Sequence, residues 1–92
     1  MLETFTAETF APRLRERFEL VAPESRVDLE LTEVTESGVP GAGRRTQFSL
    51  VFTGPSEPLL PQAIYRLEHP ELGAFDLFLV PIGPGSYEAV FT

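Results

Sequence analysis

The chain has 92 residues, no Cys and no Lys, and its 14 acidic residues against 7 Arg give a net charge of −7. This length predicts a single domain spanning residues 1–92, and the absence of Cys excludes disulfides, thiolate zinc sites and cysteine nucleophiles. The negative charge disfavours binding to nucleic-acid phosphates and to anionic membrane surfaces, so we expect neither a nucleic-acid nor a membrane partner.

The N-terminal segment is the one helical candidate. Thr6 is suited to be an N-cap, and Phe5 is placed to pack against Phe10. Pro12 disfavours a helix interior, so we predict one short helix that ends before Pro12, or two turns broken there. Phe5, Phe10 and Leu14 are expected to pack on a sheet.

From residue 18 onward the apolar residues recur with a period of two, which is typical of half-buried strands. The alternation slips at Glu33 and Val34, where we predict a β-bulge or a change of partner. Two connections, 37–45 and 54–61, are rich in turn-forming residues. The predicted strands cover 18–22, 27 to the slip, 48–53, 63–68, 74–80 and 87–91.

The segment from Ala63 to Ile82 predicts a β-hairpin that organises the fold. Two runs rich in β-branched and aromatic residues flank a turn at 69–73. Pro70 presets the backbone for the first corner of the turn, and Gly73 can adopt the left-handed conformation that closes it.

These elements predict a mainly β fold: a small antiparallel β-sandwich or open barrel of about six strands with a short N-terminal helix. One face of the strands is expected to form the core. It comprises Phe18, Leu20, Val27, Leu29, Leu31, Phe48, Leu50, Phe52, Tyr65, Leu67, Phe75, Leu77, Leu79, Ala89 and Phe91.

The opposite face is more apolar than a solvated sheet requires. Two explanations are open: the N-terminal helix covers this face, or part of it is a contact surface for another subunit, since contiguous exposed apolar patches mark binding sites. The residues predicted for such a partner interface are Val51, Ile64, Phe78, Val80 and Val90.

The residues that could support catalysis are few. His69 is the only His, and its place at the hairpin corner favours a turn residue over a general base, even with Glu68 and Glu71 close in sequence. We predict no catalytic residue, no metal ligand and no cofactor, and therefore no enzyme.

Two further patterns are also interpreted as structural. Asp28, Glu30, Glu33 and Glu36 are interpreted as a solvated acidic strand edge that opposes aggregation. The segment 41–46 resembles a phosphate loop only weakly, because it lacks the Lys-Ser/Thr ending and precedes a strand instead of a helix.

Much of the chain resembles an uncharacterised bacterial family of domains of unknown function. The similarity lies in Phe48–Pro55, Leu60–Gly73, Phe75–Ile82 and Tyr87–Phe91, with the hairpin sequence Leu67-Glu-His-Pro-Glu-Leu-Gly73 as its most specific part and Thr6–Pro12 as a further match. The family is associated with genes for phage-tail-collar-like proteins. The resemblance implies a non-catalytic part of a tail-like or surface-appendage system and transfers no catalytic residue.

The sequence therefore predicts a non-catalytic structural or interaction subunit that joins a protein partner or further copies of itself through the apolar sheet face and strand edges. The alternative is a small peptide- or ligand-binding module, with a site between the loops 54–61 and 83–86 and contacts from Tyr65 and Tyr87. With no signal-peptide pattern at the N-terminus, we expect a cytoplasmic protein or one in a particle assembled in the cytoplasm.

Overall fold

The computed structural model of the chain describes residues 5–23, 25–37, 47–55 and 60–91. The phosphate-loop-like segment 41–46 lies outside these ranges. A one-turn α-helix, α1 (Ala7–Phe10), continues as a 3-10 turn (Ala11–Arg13) and precedes six strands. The strands are β1 (Arg17–Ala22), β2 (Ser25–Ser37), β3 (Gln47–Thr53), β4 (Ala63–His69), β5 (Gly73–Gly83) and β6 (Ser86–Phe91).

The six strands form a closed antiparallel barrel in the order β1-β2-β3-β6-β5-β4. The chain makes two three-stranded meanders, β1–β3 and β4–β6, which join where β3 pairs with β6 and where β1 pairs with β4. The predicted antiparallel β fold with a short N-terminal helix is confirmed, and the barrel is closed because β4 returns to β1. Closure pairs β1 with β4 and β3 with β6, so the outer strands of the two meanders cover one another's edges.

β2 is long because it pairs with two different strands. Its first half pairs with β1 and its second half with β3, and the register shifts between Leu31 and Glu33. The predicted bulge and change of partner are present, at Thr32 instead of Glu33 and Val34. β2 pairs with β1 over Ser25–Glu30 and with β3 over Glu30–Ser37, so only Glu30 has a paired neighbour on both sides. Asp28, Glu33 and Glu36 are exposed, and their interpretation as an edge that opposes aggregation stays a prediction.

The barrel interior is filled by alternate strand residues. Every residue predicted to face inward is buried except Tyr65, which is half-buried and packs against the core. Five further buried residues were not included in the predicted inward face. His69 and Tyr87 continue the alternation of β4 and β6, whereas Ala7, Phe10 and Leu60 lie outside the strands.

The N-terminal segment closes one end of the barrel. Phe10 is completely buried, with its ring 5.8–6.4 Å from those of four inward-facing phenylalanines on β1, β3, β5 and β6. Phe5 packs edge-on against Phe10 at 5.3 Å, as predicted. The helix has the predicted N-cap, where the Thr6 N–H donates to Thr9 Oγ1 at 3.0 Å.

The explanation that this helix covers the outer apolar face is wrong, although Phe5 and Phe10 pack on phenylalanines of the strands as expected. Phe10 is buried among ring side chains at the barrel end, and the α-helix stops before Pro12 after a single turn. Leu14 is 41% exposed instead of packed on the sheet. The outer face of the strands therefore stays uncovered by the described part of this segment.

Candidate interaction surface

Three exposed apolar side chains lie on the outside of β4, β5 and β6. Ile64, Phe78 and Val90 are 69%, 49% and 61% exposed. Ile64 is directly opposite Phe78, so these two side chains form a row across β4 and β5. The pairing of β5 with β6 ends at Val80 and Glu88, and Val90 lies two residues beyond Glu88 on the same outward side of β6.

A second row runs parallel to the first, one outward position further along the strands. Val80 pairs with Glu88, Glu88 with Val51, and Val51 with Glu33. Val80 and Val51 are half-buried in this row. The five residues predicted as a partner interface all lie on the outer side of β3–β6, and we call this set of residues the apolar face (Val51, Ile64, Phe78, Val80 and Val90).

The sequence reasoning missed one exposed apolar neighbour of this face. Ile82 is 53% exposed and lies two residues beyond Val80 on β5. The same alternation that identified Phe78 and Val80 could have included it, since alternate residues of a strand share a side. The irregular register between Pro81 and Gly83 follows directly.

A separate polar cluster surrounds His69 at the corner between β4 and β5. The imidazole is buried, and its Nδ1 accepts hydrogen bonds from the backbone N–H groups of Glu71 and Leu72, at 3.1 Å and 3.3 Å. Since Nδ1 is an acceptor, the ring proton lies on Nε2, which donates to Glu16 Oε1 at 2.7 Å. The ring also packs 4.6 Å from that of Phe18. His69 therefore fixes the turn, which agrees with the interpretation from sequence.

This cluster is the one place in the described chain where metal-ligating groups converge. One ligand atom each from Glu16, His69 and Glu71 lies within 4.8 Å of the others. Arg13 forms ion pairs with both carboxylates, and both ring nitrogens are already engaged. Because the guanidinium already supplies a positive charge, the group fits a structural link between the N-terminal segment and the hairpin better than a cation site. The sequence reasoning missed Arg13 and Glu16, which lie more than 50 residues from His69 in the chain.

Sequence comparison identifies the family. The model of DUF6916, a domain of unknown function, matches residues 5–91. The chain belongs to the DUF6916 family. No curated protein and no solved structure matches the chain. The predicted resemblance to a domain of unknown function is confirmed, and the match itself carries no information on phage tails.

Another side of the DUF6916 barrel, formed by β1, the first half of β2 and the second half of β4, is charged, and its charges are paired with one another. Arg26 donates to Glu19 at 2.7 Å and to Glu68 at 3.4 Å. The hydrogen bond to Glu19 is the main cause that raises the pKa of the Arg26 guanidinium above its ordinary value. Each arginine of the described ranges has a carboxylate partner: Arg13 with Glu16 and Glu71, Arg15 with Glu30, Arg17 with Asp28, Arg26 with Glu19 and Glu68, and Arg66 with Asp76.

This charged side contains an open depression of about 490 Å³. Its lining includes Arg17 and Asp28, which pair with each other at 3.7 Å, and His69, whose nitrogens are engaged as described. Glu19 and Glu68, which also line it, pair with Arg26, so each ionisable side chain of the lining has a polar partner. Neither helical segment in the described ranges has the length or apolar character needed to cross a bilayer.

The tyrosines of the alternative ligand site have structural partners in the DUF6916 domain. Tyr87 is buried and its hydroxyl accepts from the Leu60 N–H at 3.1 Å. The Tyr65 hydroxyl donates to the Pro61 carbonyl at 2.6 Å, and partial burial raises the pKa of Tyr65. Both hydroxyls bond to backbone groups at the end of the Pro-rich loop, whose residues 56–59 lie outside the described ranges.

Proposed function

We propose that the DUF6916 domain is a non-catalytic interaction subunit that binds a protein through its apolar face. The observation that carries this proposal is the exposed row of Ile64 and Phe78 on adjacent strands, together with the exposed Val90 on β6. Single exposed apolar residues are common on protein surfaces, whereas contiguous ones mark contact sites. Complete burial of one such side chain contributes about 1.5–3 kcal/mol, so covering the row is a substantial source of binding energy.

The architecture supports this reading of the row. The barrel already has a filled interior and an N-terminal segment that closes its end. The outer row is therefore not needed to complete the core. The described ionisable groups of the His69 cluster and of the charged side are engaged with one another, which supports a non-catalytic role.

The resemblance to domains associated with phage-tail-collar-like genes extends the proposal. On that basis alone, we propose that the partner belongs to a tail-like or surface-appendage assembly built in the cytoplasm. The acidic surface, with net charge −7, fits a protein that avoids nucleic acid and anionic lipid.

The proposal is tested by placing a charge in the row and an identical charge at a distant exposed Leu. Phe78→Asp disrupts the row, and Leu14→Asp is the matched control because Leu14 is 41% exposed and lies outside the apolar face. The tagged wild-type domain and both variants are used to capture partners from the native cell, and a captured protein is then purified and rebound. Circular dichroism and thermal unfolding of each variant establish that it is folded.

We expect wild type and Leu14→Asp to bind the purified partner and Phe78→Asp to remain folded without binding it. If Phe78→Asp unfolds the domain, the row serves the core and the proposal fails. It also fails if the folded Phe78→Asp variant binds every captured partner as tightly as Leu14→Asp does.

A further inference from the structure

The hairpin formed by β5 and β6 is paired only near its turn. The barrel is closed at this point by a short ladder, which ends at the pair of Val80 and Glu88. β5 begins at Gly73 and β6 ends at Phe91, so part of each strand lies beyond that last pair. We call the opening between residues 73–79 of β5 and residues 89–91 of β6 the seam.

Two features of the structure account for the seam. The ladder is irregular between Pro81 and Gly83, and an irregularity of this kind bends a strand and increases its twist. On the inside, the Phe10 ring lies 6.1 Å from that of Phe75 on β5 and 5.8 Å from that of Phe91 on β6. The N-terminal segment therefore fills the interior beside both strands, and the core is complete there without pairing of β5 to β6.

The seam leaves backbone groups of both strands without a strand partner. On their other sides, residues 73–79 pair with β4 and residues 89–91 pair with β3. Because hydrogen-bonding groups alternate between the two sides of an antiparallel strand, each strand directs about half of its N–H and C=O groups toward the seam. Between residues of the described ranges, no backbone hydrogen bond outside the ladders involves 73–79 or 89–91. An edge of this kind is a template for a further strand.

The seam selects a free extended segment over a second copy of the chain. It is bounded on both sides by strands of one barrel, and each of the six strands in a second copy is already paired within its own barrel. Two copies also bring together two net charges of −7, which opposes association. The occupant must therefore be a segment that has no strand partner of its own before it binds.

We propose that the seam is a further binding site of the DUF6916 domain, beyond its apolar face, in which an extended segment of another protein pairs with β5 as a seventh strand. Outward side chains of this segment lie beside Phe78 and Val90, which are 49% and 61% exposed, so large apolar side chains are favoured there. Inward side chains meet the buried rings of Phe10, Phe75 and Phe91, so only small side chains are accommodated. The segment therefore alternates large apolar and small residues, and its backbone provides the recognition.

The test uses two synthetic peptides as probes. Both have about nine residues that alternate Val and Ser between terminal Lys residues, a length that covers the β5 side of the seam. One peptide is N-methylated at its internal residues, which removes its backbone donors and leaves its side chains unchanged. Binding of each labelled peptide to the full chain is measured by fluorescence anisotropy. Amide hydrogen exchange of the free and the peptide-bound chain is measured by NMR.

Two protein variants locate the bound peptide. Phe78→Asp places a charge on β5 beside the seam, whereas Ile64→Asp places the same charge on β4, directly opposite Phe78 and away from the seam. A strand added to β5 lies about 5 Å from β5 and about 10 Å from β4. Ile64 is 69% exposed, so it is a matched apolar position. Circular dichroism establishes that both variants are folded, and the exchange data and the two peptides decide the question if either is not.

In the free chain, we expect the amides directed toward the seam to exchange at least about a hundredfold faster than those bonded to β4 or β3, and to slow at least about tenfold when the unmodified peptide binds. The N-methylated peptide should bind at least about tenfold more weakly, and Phe78→Asp should weaken binding more than Ile64→Asp does.

Four results would overturn the inference. These are equal binding of the two peptides, equal losses in Phe78→Asp and Ile64→Asp, seam amides that are already protected in the free chain, and no binding of the unmodified peptide up to about 1 mM. Each of them leaves the proposed function standing, since that proposal is tested with captured proteins and not with these peptides.

Discussion

Replacement of Phe10 tests whether the N-terminal segment is part of the barrel core. Phe10 has no exposed surface, and its ring lies 5.3–6.4 Å from five other phenylalanine rings. Phe10→Ala removes the transfer free energy of a buried aromatic side chain and leaves a cavity that the rigid barrel end fills only in part, so we expect a loss of about 3–5 kcal/mol. For a domain of this size each kcal/mol lowers the Tm by about 4–8 °C, which predicts a fall of at least about 12 °C.

Urea and thermal unfolding followed by circular dichroism measure this effect, and Leu14→Ala provides the matched control on the same segment. Leu14 is 41% exposed, so its truncation should change stability by no more than about 0.5 kcal/mol. Should Phe10→Ala prove completely unfolded, Phe10→Leu supplies a smaller cavity and a measurable loss. A cost below about 1 kcal/mol for Phe10→Ala would refute the reasoning, because it would mean that the segment does not close the barrel in solution.

Two further substitutions probe the turns that shape the barrel. His69→Ala removes the acceptor for two backbone N–H groups and the donor to Glu16. We expect the free energy of unfolding measured in urea to fall by about 2–4 kcal/mol. The control, Glu71→Ala, removes only an exposed ion pair and should lower it by less than about 1 kcal/mol. Equal losses would show that the imidazole does not hold the turn. Gly85 has φ of +74°, and an added Cβ would lie 2.6 Å from the Gly54 carbonyl oxygen. Gly85→Ala should therefore lower the free energy of unfolding by more than about 1 kcal/mol, whereas Gly83→Ala, with open space around the added Cβ, should be close to neutral. A neutral Gly85→Ala would contradict the close approach of Gly85 to Gly54.

The strands were predictable because their signal is local. Alternation of apolar and polar residues identifies the two sides of each strand, and the turn residues Pro70 and Gly73 locate the central hairpin, where Gly73 has φ of +84°. The same alternation identified the outward Ile64, Phe78 and Val90, since a residue's side of a strand follows from its parity alone. Fold class and the residues of the candidate surface were therefore accessible from the sequence.

The features that sequence reasoning missed depend on contacts between distant segments. Phe10 and Leu14 have the same helical spacing whether they cover a face or close a barrel end, and only the three-dimensional position of the barrel rim distinguishes the two. The cluster of Arg13, Glu16 and His69 joins positions more than 50 residues apart. Barrel closure likewise rests on the pairing of β1 with β4 across 44 or more residues of chain, which no local pattern encodes. Ile82, His69 and Tyr87 are exceptions, because the alternation that was used could have included them.

The arrangement of the barrel as two meanders has a consequence for biosynthesis. β1, β2 and β3 leave the ribosome first, yet β1 closes against β4 and β3 against β6. The nascent N-terminal half therefore has two bare strand edges until nearly the whole chain has been made, and such edges are prone to pair with other chains. Arg17 and Glu19 on β1 place charged side chains along one of these edges. Such charges disfavour aggregation of the incomplete sheet until β4–β6 have been synthesised.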